Sequence, residues 1–410
     1  MCGNDINNIL AGTRVCMVVY SYYPMDQRVR REAESLSKSG AIIHVICLRN
    51  ENETKFGIYN NIHVYRVPLG LRRNVGFLQY FFRYLIFLIL STSALVRLFA
   101  KHKYKVVHVH SIPDYLVFCA VVPKLFKVKI ILDLHELMPE IFATKFDISM
   151  DSKRVGLVKF LERTSVRFSD FIITTSQIRK KTLSLRTQKK DIAIIMNLPQ
   201  KDFFKTRDMR DFIEKNGLRE SFIIIYVGGL YPERELDVVI KAMKYIEVKI
   251  PNIKFVICGT GGDEYVASLH DLIKDLNLEK KVLFVGYVPQ DDVLNYIDLS
   301  DVAICPYRFY PKLGDVLDGV SSTKVFEYLL VPKPVIVSNT SATNEEFKDL
   351  VSFYESGDHK NLGDRLYEVY KNGDEFNKMA KKAQEVLFKR YDPEKNEQKF
   401  LEIYKNLITR

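Results

Sequence analysis

The 410-residue chain has no tryptophan, and its six cysteines lie far apart with no C-x-x-C pair. Cys2, Cys16, Cys47, Cys119, Cys258 and Cys305 therefore outline neither a zinc knuckle nor a disulfide framework. Four of them sit inside apolar runs and read as reduced core residues of a cytosolic protein. The start, MCGNDINNILAGTRV, lacks a basic region followed by an apolar stretch, so no signal peptide is expected. Also missing is an uninterrupted apolar run of the ~20 residues that a spanning helix needs. The longest apolar region, Phe77 to Ala100, is broken by Arg83 and Arg97, which bracket about 13 uncharged residues. There is no zinc finger, RNA-binding signature or dense Lys/Arg tract, so nucleic acid is not the expected partner.

What is present is an ordinary globular balance, 47% hydrophobic and 27% charged, which excludes a largely disordered chain. The length exceeds what one core supports, so two domains are expected. Lys+Arg 61 against Asp+Glu 50 leaves +11, a charge suited to an anionic partner such as a nucleotide or phospholipid surface. The Phe77–Ala100 region has two readings. It is a buried helix of the first domain, or a monotopic segment with its Phe, Leu and Ile face in the lipid interface. Arg72, Arg73, Lys101, Lys103 and Lys105 flank it in favour of the second, with Phe81, Phe87 and Phe99 as lipid-facing residues. In neither reading does it span.

Short β-rich apolar runs alternate with longer amphipathic stretches. In the first half the runs are Val15–Tyr20, Ile42–Leu48, Val106–Val109, Ile130–Leu134, Phe171–Thr175 and Ile192–Met196. In the second they are Phe222–Val227, Lys254–Cys258, Val282–Val285, Val302–Cys305, Pro334–Val337 and Val351–Tyr354. Such alternation predicts parallel sheets covered on both faces, and two sets predict two doubly wound α/β domains. The expected boundaries are 1–198 and 199–390, the second following the polar stretch Gln200–Lys205. Residues 391–410 form a last helix with no strand after it, suited to packing back on the first domain. Ligands of open parallel sheets bind beyond the carboxyl ends of the strands, so the residues there carry the functional information.

After the first strand comes SYYPMDQRVRRE, where Asp26, Arg28, Arg31 and Glu32 sit at a helix entrance that suits a phosphate. A solvated charged helix face is the plainer alternative. DLHELMPE places His135 at a strand end, as a sugar-hydroxyl ligand, an acid–base group or a structural histidine. His108 and His110 share one strand face, but with no third ligand evident a metal is discounted. In the second half, YVGGLYPERELDVVIKAM puts Gly228 and Gly229 directly after a strand, with Arg234 five residues on, and VICGTGG repeats the arrangement. Glycines there let a ligand approach the backbone. Neither segment has the G-x-G-x-x-G spacing. VSSTKVFEYLLVPKPVIV opens a helix that Ser321, Ser322 or Thr323 would cap. Free amides with Lys324 one turn in make a diphosphate cradle, and Glu327 is placed to accept from a ribose diol. The alternative is a capped surface helix with a Lys–Glu pair.

The segments DQRVRREAESLSKSG, VVHVHSIPDYLV, LDLHELMPE, YVGGLYPERELDVVIKAM, VICGTGG, VLFVGYVP and SSTKVFEYLLVPKPVIV, in this order and spacing, resemble a family-4 glycosyltransferase of the GT-B fold along nearly the whole chain. That resemblance implies two facing Rossmann-like lobes and transfer of a sugar from a nucleoside diphosphate donor with retention of configuration, without a bound metal or other cofactor. It places His135 near the donor sugar, Arg234 and Lys324 on the diphosphate, and Glu327 on the ribose. Gly228, Gly229, Ser322 and Thr323, with the Gly286–Val288 turn, would lie along the nucleotide, and Asp26 and Arg28 on the acceptor or phosphate side. Two departures stand out. The family often has two glutamates seven residues apart, and the first position here is Gly319, with Asp315 and Asp318 out of register. Many members also carry Arg where this chain has Gly229.

The expected function is thus sugar transfer to a lipid-linked or polysaccharide acceptor in surface glycan biosynthesis, in the cytoplasm and peripheral to the inner face of an anionic cell membrane. The alternatives are a nucleotide-sugar epimerase on the same lobes, which would convert donor without acceptor, and a non-catalytic or nucleic-acid-binding protein motivated by the +11 charge.

Overall fold

Most of the Ile- and Val-rich runs become strands buried on both faces, as the interior of a parallel sheet requires, and the edge strands are only partly buried. The computed structural model describes residues 10–70, 77–146, 148–189, 191–198, 206–308, 322–340, 343 and 347–409. The chain divides into two compact units, Met1–Asn197 with Glu394–Arg410, and Leu198–Pro393.

The first unit contains β1 (Arg14–Tyr22), β2 (Ile42–Leu48), β3 (Phe56–Tyr59), β4 (Ile62–Val67), β5 (Val106–His110), β6 (Lys129–Leu134), β7 (Phe171–Thr174) and β8 (Ile192–Ile194). They form one sheet in the order β3-β4-β2-β1-β5-β6-β7-β8. The order reverses direction at β1 and β5, the topological switch point of a doubly wound sheet. All pairs are parallel except β3 with β4. This hairpin is absent from the strand runs of the sequence reading. It turns on Asn60 and Asn61, at φ 46° and 64°, the left-handed pair that a two-residue hairpin turn demands and that asparagine tolerates.

In the second unit β9 (Phe222–Val227), β10 (Ile253–Cys258), β11 (Val282–Gly286), β12 (Val302–Cys305), β13 (Val335–Asn339) and β14 (Ser352–Glu355) form an all-parallel sheet ordered β11-β10-β9-β12-β13-β14. Renumbered within the unit this is 3-2-1-4-5-6, the dinucleotide-fold order, with its switch point between β9 and β12. The helix Leu236–Ile246 turns Val239, Ile240, Ala242, Met243 and Ile246 fully into the core against Phe255 and Ile257.

The last helix, Pro393–Thr409, belongs by its contacts to the first unit. Phe400, Leu401, Ile403, Tyr404 and Leu407, on one helical stripe, join the core that holds Val15, Met17 and Ile43.

The long apolar helix runs from Phe77 to His102, 26 residues. Tyr84, Phe87, Ser91 and Leu95, at 5% exposure or less, recur every three or four residues and bury one face. The opposite face exposes Phe81, Phe82, Leu85, Ile86 and Ile89. Phe87 is therefore core and not lipid-facing, and Phe99 is half-buried with its ring 5.7 Å from that of Phe126. By length and composition alone Phe81–His102 is long and apolar enough to cross a membrane. That differs from the count between Arg83 and Arg97, because the helix continues past both. The predicted helix Tyr115–Phe126 is instead a 3₁₀ segment, Asp114–Ala120, followed by a single α turn, Val121–Leu125. Pro123, which has no N–H, cannot continue an α-helix from the preceding turns.

Candidate active site

The second unit's switch point is built by close approach of backbone. Gly228 leaves β9 at φ +147°, and a Cβ there would lie 2.0 Å from Lys324 Nζ. Gly259, at φ +154° after β10, would put its Cβ 1.8 Å from the Gly228 carbonyl oxygen, and Gly261 would meet the Leu230 oxygen at 1.9 Å. Any side chain at these positions displaces main chain or the lysine. The room left at Gly228 is thus taken by Lys324. Gly229 is bounded by Tyr231, whose ring a Cβ would meet at 2.5 Å.

Lys324 and Glu327 lie in the helix Ser322–Leu329. Ser322 and Thr323 open that helix; their side chains, and Asp315, Asp318, Gly319 and Ser321 entirely, lie outside the described residues. Lys324 Nζ donates to the Tyr226 hydroxyl at 3.0 Å and stands 4.8 Å over its ring. Arg234 ends a short 3₁₀ turn after β9 and stacks its guanidinium 4.7 Å from the Tyr307 ring centre, beyond the end of β12. Among the described residues neither cation forms a salt bridge, and Arg234 Nη1 is buried without a hydrogen-bond acceptor. Burial pushes the Lys324 ammonium down to about 7, with Arg234 adding repulsion. Burial pushes the Glu327 carboxyl up to about 7, against a hydrogen bond donated by Gln290 and the charge of Lys324. Two such groups as Lys324 and Arg234 at a strand-end loop suit an anionic ligand. Gly286 closes β11 at φ +82° and its carbonyl accepts from the Gly259 N–H at 2.7 Å. Val288 follows the exposed Tyr287, on the β11 side of this loop cluster. The sequence reading missed Tyr226, Tyr307 and Gln290. Their signal was positional only, one residue inside or just beyond a strand end.

The remaining candidates lie in the first unit. Arg28 donates to both oxygens of Asp26, at 3.1 and 2.9 Å, where the chain enters the helix Gln27–Lys38. Burial raises the Asp26 carboxyl, but Arg28 outweighs it and holds the group at about 2. His135, one residue past β6, is 3% exposed. Its Nε2 faces Asp133 Oδ2 and its Nδ1 lies 3.3 Å from Asn197 Nδ2. Burial first, and Arg28 second, lower its basicity. Both ring nitrogens are thus directed at protein groups, and an acid–base role on a ligand requires the Asn197 contact to open.

The structure also corrects the statement that His108 and His110 lack a third ligand. Glu32 and Asp133 complete a cluster of four buried groups whose ligand atoms lie within 4.8 Å of one another.

Residues 208–386 match the family described as glycosyl transferases group 1, and residues 25–186 match a glycosyl transferase 4-like domain. With two Rossmann-like units of GT-B type, the chain belongs to the group 1 glycosyltransferases. It is 28% identical over 162 residues to TuaH of Bacillus subtilis, named as a glycosyltransferase of teichuronic acid biosynthesis, covering 37% of this chain and 38% of that protein. The chain thus matches well under half of that relative's length. Its fold is similar to that of sucrose-phosphate synthase from Thermosynechococcus elongatus (TM-score 0.74, 15% identity, 97% and 99% of the two chains). It is also similar to that of HepE from Anabaena, solved with UDP-glucose (TM-score 0.70, 16% identity, 96% and 99%).

Proposed function

We propose that the protein is a retaining glycosyltransferase that moves a sugar from a nucleoside diphosphate donor to a lipid-linked or polysaccharide acceptor. One observation carries the donor class: Lys324 and Arg234 converge at the carboxyl ends of β9 and β12 with no salt-bridge partner among the described residues. A diphosphate supplies the missing charge, and the same cations then stabilise the phosphate oxygens as the sugar departs. The HepE complex with UDP-glucose, on the same fold, supports a nucleotide sugar as donor. Glu327, with one oxygen taken by Gln290, has the other for a ribose hydroxyl. Retention, and His135 beside the donor sugar, rest on the motif resemblance.

The acceptor class rests on the first unit. Between Arg72 and Lys129 the only acidic residue is Asp114, which is fully buried, against ten Lys and Arg. The exposed Phe81, Phe82, Leu85, Ile86 and Ile89 lie in this basic stretch, with Leu125 and Phe126 exposed further along it. An apolar face edged by cations suits the headgroup region of an anionic bilayer. The opposite face of the helix is committed to the core, so the helix lies in the interface and does not span.

A panel of nucleotides and nucleotide sugars tests the donor site by thermal stabilisation, since a ligand bound only by the folded state raises Tm. A nucleoside diphosphate and its sugar conjugate are expected to stabilise the protein, and the free nucleoside much less. No stabilisation by any diphosphate rejects the proposal.

A further inference from the structure

The four groups gathered at the first unit's switch point come from three separate elements. Glu32 is on the helix Gln27–Lys38, His108 and His110 are on β5, and Asp133 is on β6. All are 3% exposed or less. His108 and His110, two apart on a strand, present their rings to one face, with centres 4.1 Å apart. His110 Nδ1 lies 3.3 Å from Asp133 Oδ2 and 3.9 Å from Glu32 Oε2, and His108 Nε2 lies 3.7 Å from Asp133 Oδ2. Yet among the described residues Glu32 Oε2, His108 Nε2 and both nitrogens of His110 have no hydrogen-bond partner. Buried polar atoms left this way are costly, and three residues bring one each, Glu32, His108 and His110, to within 4.8 Å of one another and of Asp133.

We propose that these four residues bind a divalent transition cation of the zinc class. Two imidazoles with two carboxylates form the nitrogen–oxygen set that zinc takes in tetrahedral geometry, whereas magnesium and calcium prefer oxygen throughout. Metal–ligand bonds of about 2.0–2.1 Å require ligand atoms roughly 3.4 Å apart. The His110–Asp133 pair is at that spacing, the His108–Asp133 and His110–Glu32 pairs need to draw in by about half an ångström or less, and no two ligand atoms lie more than 4.8 Å apart. An outer partner is also in place. His108 Nδ1 faces the Tyr404 hydroxyl at 2.7 Å, which leaves Nε2 for the metal. Two carboxylates and two neutral imidazoles balance the +2 charge. The ion would tie the helix, β5 and β6 together beneath His135 and, through Tyr404, the C-terminal helix as well. The site uses no residue of the second unit's anion site, so it stands or falls separately from the donor assignment.

The full-length protein, purified without a histidine tag and stripped with chelator, is loaded with Zn²⁺, desalted and measured by elemental analysis. About one equivalent is expected. Co²⁺ in its place should show the intense visible bands of a tetrahedral site. His110→Gln and Glu32→Gln should each weaken Zn²⁺ binding at least tenfold, and Tyr404→Phe, which removes only the outer partner, by about ten- to a hundredfold. His63→Gln is the control, because His63 sits with His44 and His102 in another histidine group. It should change nothing. If a variant fails to fold, the wild-type stoichiometry and cobalt spectrum still decide. Folded wild type holding under about a tenth of an equivalent overturns the proposal, as does binding that survives His110→Gln or is lost in His63→Gln.

Discussion

The two units share the order of their central parallel strands, yet their switch points are built in opposite ways. In the second unit the ends of β9 and β12 hold Arg234 and Lys324 against aromatic rings, with no salt bridge to a carboxylate among the described residues. In the first, the ends of β5 and β6 hold His108, His110 and Asp133 under a helix that brings Glu32 and beside another that brings Tyr404. The same crevice is left short of negative charge in one unit and packed with ligating groups in the other. A strand order therefore says where a ligand would sit, and the side chains at that place say which kind.

The sharpest way to break this contrast is to discharge the second unit. Lys324→Ala and Arg234→Ala are each expected to lower turnover roughly a hundredfold or more, because each removes a charge aimed at the departing diphosphate. Circular dichroism and Tm near wild type would show that the fold survives. Wild-type rates in both variants reject the phosphate assignment.

The long helix allows a comparison within one element. Phe87 is fully buried and Phe82 is 56% exposed, five residues apart. Phe87→Ala should cost about 3–5 kcal/mol of stability, as large-to-small changes in a packed core do. Phe82→Ser combined with Ile89→Ser should leave Tm nearly unchanged and release the protein from anionic vesicles in sedimentation. Vesicle binding unaffected by the double substitution removes the lipid-facing role.

The helix also shows how far the sequence could be read. Its apolar character and basic flanks were legible, but Phe81 and Phe87, six positions apart, could not be sorted into exposed and core faces without knowing the packing partners. The strands of the second unit followed from regular alternation, but their order did not. The β3–β4 hairpin escaped because FGIY and IHVYRV are short and half-polar, although Asn60–Asn61 marked the turn. Lys324 and Arg234 were legible because loops after strands carry ligand-binding residues. Tyr226 was not, because an aromatic residue within an apolar strand looks like any other core residue. The association of Glu32 with His108, His110 and Asp133 depends on which elements become neighbours, and residues separated by about 75 to 100 positions give no local sign of it.

The smallest expected effect is electrostatic and tests whether Lys324 and Glu327 are held under strain in the ligand-free protein. Lys324 falls from its usual range to about 7 on folding, so between about 7 and 10.5 the unfolded chain holds more protons and stability rises with pH. Glu327 moves the other way, from 4.5 up to about 7, so between those values the folded protein holds more protons and stability falls as pH rises. The two windows meet near pH 7, where their summed contribution to the ligand-free protein is least favourable. Other groups shape the full curve, so the quantity to measure is the difference in Tm between wild type and the double variant Lys324→Met, Glu327→Gln across pH 5 to 10. The wild type is expected to lose ground towards neutrality and regain it on either side. A saturating nucleoside diphosphate should fill in the trough, because the anion restores the charge of Lys324. A difference that stays flat with pH would show that both groups keep their ordinary charges, and that the site needs no anion to balance it.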